Sequence, residues 1–253
     1  MKATLNRDVT LIGTMLSEIY VPNVLILLAQ CGCHYVIVDC EHGYFDLTQV
    51  ANLVAVARGI ALPLLVRAPE PDRALITKYL DLGVDGILLA NTETVAQAAL
   101  LVDICRYAPE GNRGVSTFRA HTGYQSGDTR TMMREANERI VLLCQIESDA
   151  ASKQAESILQ TPGIDGALIG PNDMSQRMGI LGQYTEPRML RALERVAAAT
   201  KTLNKLCGIA TANESLIRAC AGMRMRMFCM GSELHFLAAG AKDAFACCQN
   251  WTK

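Results

Sequence analysis

The sequence predicts an α/β fold, a closed (β/α)8 (TIM) barrel that fills residues 1–253 as a single domain. Three observations point there. The first is length, since 253 residues is a common size for one such barrel. The second is composition: 50% of residues are hydrophobic, 19% are charged and only 5% are aromatic. A core so poor in aromatics must rest on Leu, Ile, Val, Ala and Met, the usual filling of parallel strands covered by helices on both faces. The third is order. A short apolar run followed by a stretch of helical periodicity recurs eight times.

The first four runs are LIGTML (11–16), YVIVD (35–39), LLVR (64–67) and GILLA (86–90). The later four are IVLLCQIE (140–147), GALIG (166–170), LCGIA (206–210) and MFCMG (227–231). Helical stretches such as LTQVANLVAVARG, RALITKYLDLG and TVAQAALLVDICRY separate them. Gly59, Gly83 and Gly222 stand where helix C-termini are expected, because glycine tolerates the left-handed turn that ends a helix. An open doubly wound sheet shows the same alternation. Its nucleotide-binding form wants GxGxxG after an early strand, whereas the first run here is followed by SEIYVPN, and no GxxxxGK[ST] occurs. The one long irregular region, 108–128, is of a length that usually serves function or assembly.

Composition also excludes. A formal net charge of −1 exerts no general pull on nucleic acid or anionic membrane. The N-terminus has no apolar signal core, and no run approaches membrane-spanning length. Ten cysteines occur without a CxxC pair, so neither a zinc ribbon nor a thioredoxin-like motif is indicated. Most sit in apolar runs and are expected to be buried, reduced thiols in a cytoplasmic protein.

Barrel enzymes carry their chemistry at the C-terminal ends of the strands. Those ends hold Asp39-Cys40-Glu41-His42, then Arg67, then Gln145-Ile146-Glu147, then Gly170-Pro171-Asn172-Asp173. Glu147 and Asp173 follow consecutive strands, so their carboxylates can converge on one side of the mouth. Two carboxylates plus water suit Mg²⁺ or Mn²⁺ and leave positions open for a 2-oxo acid. Both acids would equally well serve at helix starts. Arg67 could steady an enolate oxygen, or simply pair with a neighbouring acid. His42 could move a proton near neutral pH. His34, His121 and His235 look incidental, although His121 in the long loop could reach a substrate. No lysine ends a strand, so a Schiff-base mechanism has no nucleophile.

Taken together, VDCEHG (38–43), LLVRAPEPD (64–72), YAPEGNRGV (107–115), QIES (145–148) and GIDGALIGPNDMS (163–175) resemble the HpcH/HpaI family of class II, metal-dependent 2-oxo-acid aldolases. The resemblance runs from Gly13 to the last strand. It implies that Glu147 and Asp173 bind a divalent metal, Mg²⁺ or Mn²⁺ with Co²⁺ as a further option. Gln145, Gly170, Asn172 and Asp173 would hold the pyruvate-like part. Arg67 would stabilise the enolate, and His42 would act on the acceptor hydroxyl. Asp81 would raise the basicity of that histidine, a role that rests wholly on the resemblance. Small-molecule 2-oxo acid and aldehyde are the implied partners. A homohexamer that exchanges C-terminal helices between subunits is the implied assembly.

The sequence departs from the family pattern in four places. Cys40 replaces a Gly, Ala90-Asn91 a Val-Pro pair, Ser232-Glu233 a common Val-Asp, and the loop STFRAHTGYQ differs throughout. GTMLSE and RAHT keep open a branch of the same superfamily, associated with siderophore biosynthesis, that condenses oxaloacetate with acetyl-CoA to give citrate without a metal. A metabolite-binding barrel without catalysis is the third reading.

Overall fold

Each apolar run is too short to bury itself and pairs in parallel with both neighbours. A computed structural model describes residues 9–251. Strands β1 (Leu11–Leu16), β2 (Tyr35–Asp39), β3 (Leu64–Ala68), β4 (Gly86–Leu89), β5 (Val141–Ile146), β6 (Gly166–Ile169), β7 (Leu206–Ala210) and β8 (Met227–Ser232) close in sequence order. The closed barrel decides against the open sheet.

Helices α1 (Val24–Gln30), α2 (Leu47–Gly59), α3 (Arg73–Leu82), α4 (Val95–Cys105) and α5 (Thr129–Arg139) connect the first five strands. Short α6 (Asp149–Lys153) and α7 (Ala155–Leu159) lead to β6, and α8 (Pro171–Arg177) with α9 (Pro187–Thr202) lead to β7. Helix α10 (Glu214–Gly222) precedes β8, and α11 (Glu233–Trp251) follows it. Polar residues start them as expected: Asp46–Gln49 and Thr94–Gln97 form capping boxes, and Asp72, Asp128 and Asn213 each accept a first-turn N–H. Of the three glycines, only Gly83 takes the left-handed turn, at φ 97°. Gly59 and Gly222 end their helices, and the positive φ falls instead on Ala61 and Arg224. Among the described residues no helix is long and apolar enough to cross a membrane.

Side chains alternate across each strand, so every second residue enters the barrel. Leu11, Met15, Tyr35, Ile37, Leu65, Leu88, Val141, Leu143, Leu168, Leu206, Met227 and Cys229 form this inner core. The larger cluster lies between strands and helices. Buried Cys105, Cys144, Cys207, Cys220 and Cys229 behave as expected, their thiols pushed up by desolvation. The expectation fails for Cys31, Cys247 and Cys248, which are exposed.

The loop 108–128 folds back on the barrel. Arg113 pairs with Asp81 of α3 at 2.9 Å and stacks 4.6 Å from the centre of the Tyr107 ring. Beside it Arg106, fully buried, donates to the carbonyls of Asn137, Ile140 and Gly163 and to Asp165. It ties α4 to the starts of β5 and β6. Arg106→Leu leaves the three carbonyls without this buried donor, so urea unfolding should show a loss of about 3–5 kcal/mol. A loss under about 1 kcal/mol would remove Arg106 from this role.

Candidate active site

The alternation that fills the barrel also builds the site. The inward series 37 and 39 ends in Asp39; 65 and 67 in Arg67; 141, 143, 145 and 147 in Gln145 and Glu147; 168 and 170 in Gly170. Polar residues thus occupy the last inward steps at the C-terminal rim. Together they line a cavity of about 580 Å³ with His42, Asn172, Asp173, Tyr184, Thr211, Asn213, Ser232 and His235.

Asp39 and Arg67 are register partners across β2 and β3, which sets their side chains side by side. Arg67 Nε donates to Asp39 Oδ1 at 2.9 Å and Nη2 to Oδ2 at 2.6 Å. Nη1 lies 3.0 Å from Glu41 Oε2. Burial alone would push the Asp39 carboxyl up, but the guanidinium outweighs it and holds the group below the usual carboxylate range. Asp39 Oδ1 also accepts the backbone N–H groups of Glu41 and His42, at 3.0 and 3.2 Å. This carboxylate therefore sets both the arginine and the loop that carries the histidine.

Glu147 has no such partner. It is 3% exposed, and its Oε1 accepts from Gln145 Nε2 at 2.6 Å while Oε2 accepts from the backbone N–H of Asn91 at 3.0 Å. Desolvation, with the charges of Asp173 and Glu41 added, raises its pKa from 4.5 to about 7; Asn91 and Arg67 oppose the rise. The side chain has room only because residue 170 is glycine: a Cβ there would lie 2.2 Å from Glu147 Oε1. Gln145 Oε1 is buried in the same cavity without a hydrogen-bond partner. A raised carboxylate, a second carboxylate beside it and an orphaned amide oxygen are hard donors and suit a hard cation. Among the described residues no group of three or more His, Cys, Asp or Glu side chains is arranged to hold a metal, so the candidate is this carboxylate pair.

Family membership follows from most of the chain. The profile of the HpcH/HpaI aldolase/citrate lyase family matches residues 20–238. The chain belongs to that family. A 5-keto-4-deoxy-D-glucarate aldolase of Klebsiella pneumoniae is 32% identical over 222 residues, spanning 87% of this chain and 86% of the relative. A pyruvate aldolase of Rhizobium etli is 33% identical over 217 residues, spanning 85% and 84%. The crystal structure of an HpcH/HpaI aldolase from Desulfitobacterium hafniense superposes with a TM-score of 0.94 at 27% identity, covering 98% of this chain and 96% of that one. The citrate synthase SbnG, at 21% identity, TM-score 0.89 and coverage of 100% and 98%, shares the fold.

Within this HpcH/HpaI chain, His42, Arg67, Gln145, Glu147, Gly170, Asn172 and Asp173 all line one cavity. Asp81 does not. On α3 it binds Arg113 and lies 3.8 Å from His121 Nδ1, so one chain does not bring it to His42. His121 is buried beside Asp81 and lines a separate cavity. The helix-start alternatives also resolve: Ser148, not Glu147, caps α6, and Asp173 sits in the first turn of α8, whose N-cap is Gly170. Sequence reasoning took His235 as incidental, and it noted Asn91 and Ser232 as departures that shape the acceptor side without giving either a partner. Asn91 sits at φ 46°, a conformation asparagine tolerates, and supplies Glu147 with an N–H that proline lacks.

A carboxyl whose pKa rises on folding holds its proton more tightly in the folded state. In the metal-free protein its stabilising effect is therefore full in acid, falls as pH climbs from 4.5, and is lost above about 7. Glu147→Gln should raise the unfolding midpoint of the metal-free protein at pH 8 and leave it unchanged at pH 4. Equal shifts at both pH values, read by differential scanning calorimetry, would refute the buried charge.

Proposed function

We propose that the chain is a class II 2-oxo-acid aldolase, a carbon–carbon lyase that joins a pyruvate-type donor to an aldehyde and reverses the reaction. The observation that carries the reading is the buried Glu147, raised to about 7, facing one cavity with Asp173, Gln145 and Arg67. The curated relatives named as aldolases support it. Glu147 and Asp173 hold Mg²⁺ or Mn²⁺. When bound, the cation supplies Lewis-acid stabilisation of the negative charge that develops on the donor.

The chain's own groups do the rest. Gln145 and the backbone from Gly170 to Asp173 seat the donor carboxylate. Arg67 uses two of its five N–H donors on Asp39 and is ion-paired with Glu41, which fixes the fork and leaves N–H donors for the enolate oxygen. In the addition reaction the donor methyl gives a proton to His42, its carbon bonds to the aldehyde carbon, and His42 passes a proton to the aldehyde oxygen. In cleavage His42 takes that proton back. Asp81, engaged by Arg113 in its own chain, would meet a His42 only across a subunit boundary, in keeping with the homo-oligomer the resemblance implies.

Exchange of pyruvate methyl protons with D₂O, followed by NMR, tests the reading. EDTA should abolish it, and Mg²⁺ or Mn²⁺ should restore it. Undiminished exchange by stripped enzyme would sink the metal role, and thiol release from acetyl-CoA with oxaloacetate in its place would favour citrate formation. Arg67→Lys keeps the charge but loses the fork, and should slow exchange by at least about a hundredfold. Gly170→Ala should displace Glu147 and weaken Mn²⁺ binding, measured by calorimetry; wild-type affinity would show that the carboxylate need not sit there.

A further inference from the structure

The proposed donor groups all lie on β2, β3, β5 and β6, and on the loops that follow them. The other half of the cavity wall, from β7, β8 and β1, is also polar and has no task in that mechanism: Ser17, Thr211, Asn213, Ser232 and His235 line it. Its geometry is decided by one irregularity. β1 and β8 pair as Leu11 with Met227, Ile12 with Phe228 and Gly13 with Cys229, but Met15 pairs with Ser232. Two residues, Met230 and Gly231, therefore stand opposite Thr14, whose Oγ1 lies 3.2 Å from both of their carbonyl oxygens. That is a bulge. A one-residue slip moves a side chain to the opposite face of a strand. Unbulged, Gly231 would face Met15 and Ser232 would point toward the helices. With the bulge, Ser232 shares the inward side of Met15, and both line the cavity.

The bulge also places the next side chain. Gly231 has φ 59°, and a Cβ on it would lie 3.3 Å from Cγ of His235. Without that carbon the imidazole rests against the strand end, and Ser232 Oγ lies 3.0 Å from its Nδ1. In the tautomer in which the hydroxyl donates to Nδ1, the ring proton sits on Nε2, which is then a donor. The turn between them is pinned by Glu233. Its carboxylate, 4% exposed, accepts the backbone N–H groups of Ser17 at 2.9 Å, Glu18 at 2.7 Å and Ile19 at 3.0 Å. Strand end, first helical turn and the loop after β1 are thus one rigid unit.

We infer that Ser232 and His235 read the acceptor: Nε2 of His235 donates to an oxygen borne by the carbon next to the aldehyde group, and Ser232 orients the ring. The inference rests on the aldolase reading. The chemistry it selects is a hydrogen-bond-accepting oxygen, supplied by a carboxylate or by a hydroxyl. Apolar aldehydes of equal size leave the donor dry and unpaired, which a polar site penalises heavily.

The test compares kcat/KM for addition of pyruvate to glyoxylate, glycolaldehyde and propionaldehyde by wild type, His235→Leu, His235→Gln and Ser232→Ala. Wild type should favour at least one oxygen-bearing acceptor over propionaldehyde by at least about tenfold. His235→Leu should cut that ratio about tenfold, His235→Gln, which keeps a donor, should restore part of it, and Ser232→Ala should lower it through the oxygen-bearing acceptor alone. The two polar arms tell a carboxylate from a hydroxyl. A wild type without preference, or a ratio unmoved in His235→Leu, overturns the inference while pyruvate proton exchange by wild type keeps the aldolase reading intact. Absence of that exchange would instead remove the aldolase reading and this inference together.

Discussion

A bidentate ion pair between adjacent strands, Asp39 on β2 and Arg67 on β3, anchors everything at the mouth of this barrel. The two residues are partners in the strand register, so the backbone itself brings the carboxylate to the guanidinium. Burial makes the pair costly to break, because either charge alone would be stranded away from water. The same Asp39 carboxylate takes two backbone N–H groups from the loop that bears His42. A single acid thus fixes the orientation of the arginine and the path of the histidine loop.

That arrangement has an electrostatic consequence. Arg67 is committed to Asp39 and Glu41, so the remaining carboxylates in the cavity have no cation of their own. Glu147 bears the cost in its raised pKa, with Asp173 adding to the strain. Among the described residues Glu147 is left without an ion-pair partner on the β5–β6 side, and an added cation there would relieve it. On the opposite side the imbalance is settled internally: Glu233 is buried too, yet three backbone N–H groups satisfy it. One buried carboxylate is therefore a candidate ligand, and the other a structural clamp, by virtue of what surrounds each.

The departures from the family pattern fall into place by the same reasoning. Asn91 brings a backbone N–H to Glu147 and holds a left-handed turn. Ser232 and Glu233 have separate tasks on either side of the β8 bulge, one facing the cavity and one gripping the loop after β1. Cys40 is half-buried, with its thiol pushed up to about 11 by burial, and behaves as a hydrophobe. The long loop, with Arg113 and His121, gathers around Asp81 on the outer layer and not at the mouth.

The sequence by itself determined the strands, nearly to the residue, and the polar residues that gather along the β2, β3, β5 and β6 side of the cavity. Both follow from local rules: apolar runs of strand length, and a period of two that carries each polar residue at the end of a run into the barrel. It also sufficed for the family. Only the tertiary structure decided closure of the sheet, since alternation of strands and helices is common to open and closed forms. It likewise decided the place of Asp81, whose partner Arg113 is distant in sequence, and the inward turn of Ser232 and His235. A bulge arises from how two strands far apart in the chain pair, and no local pattern records a register that the partner strand sets.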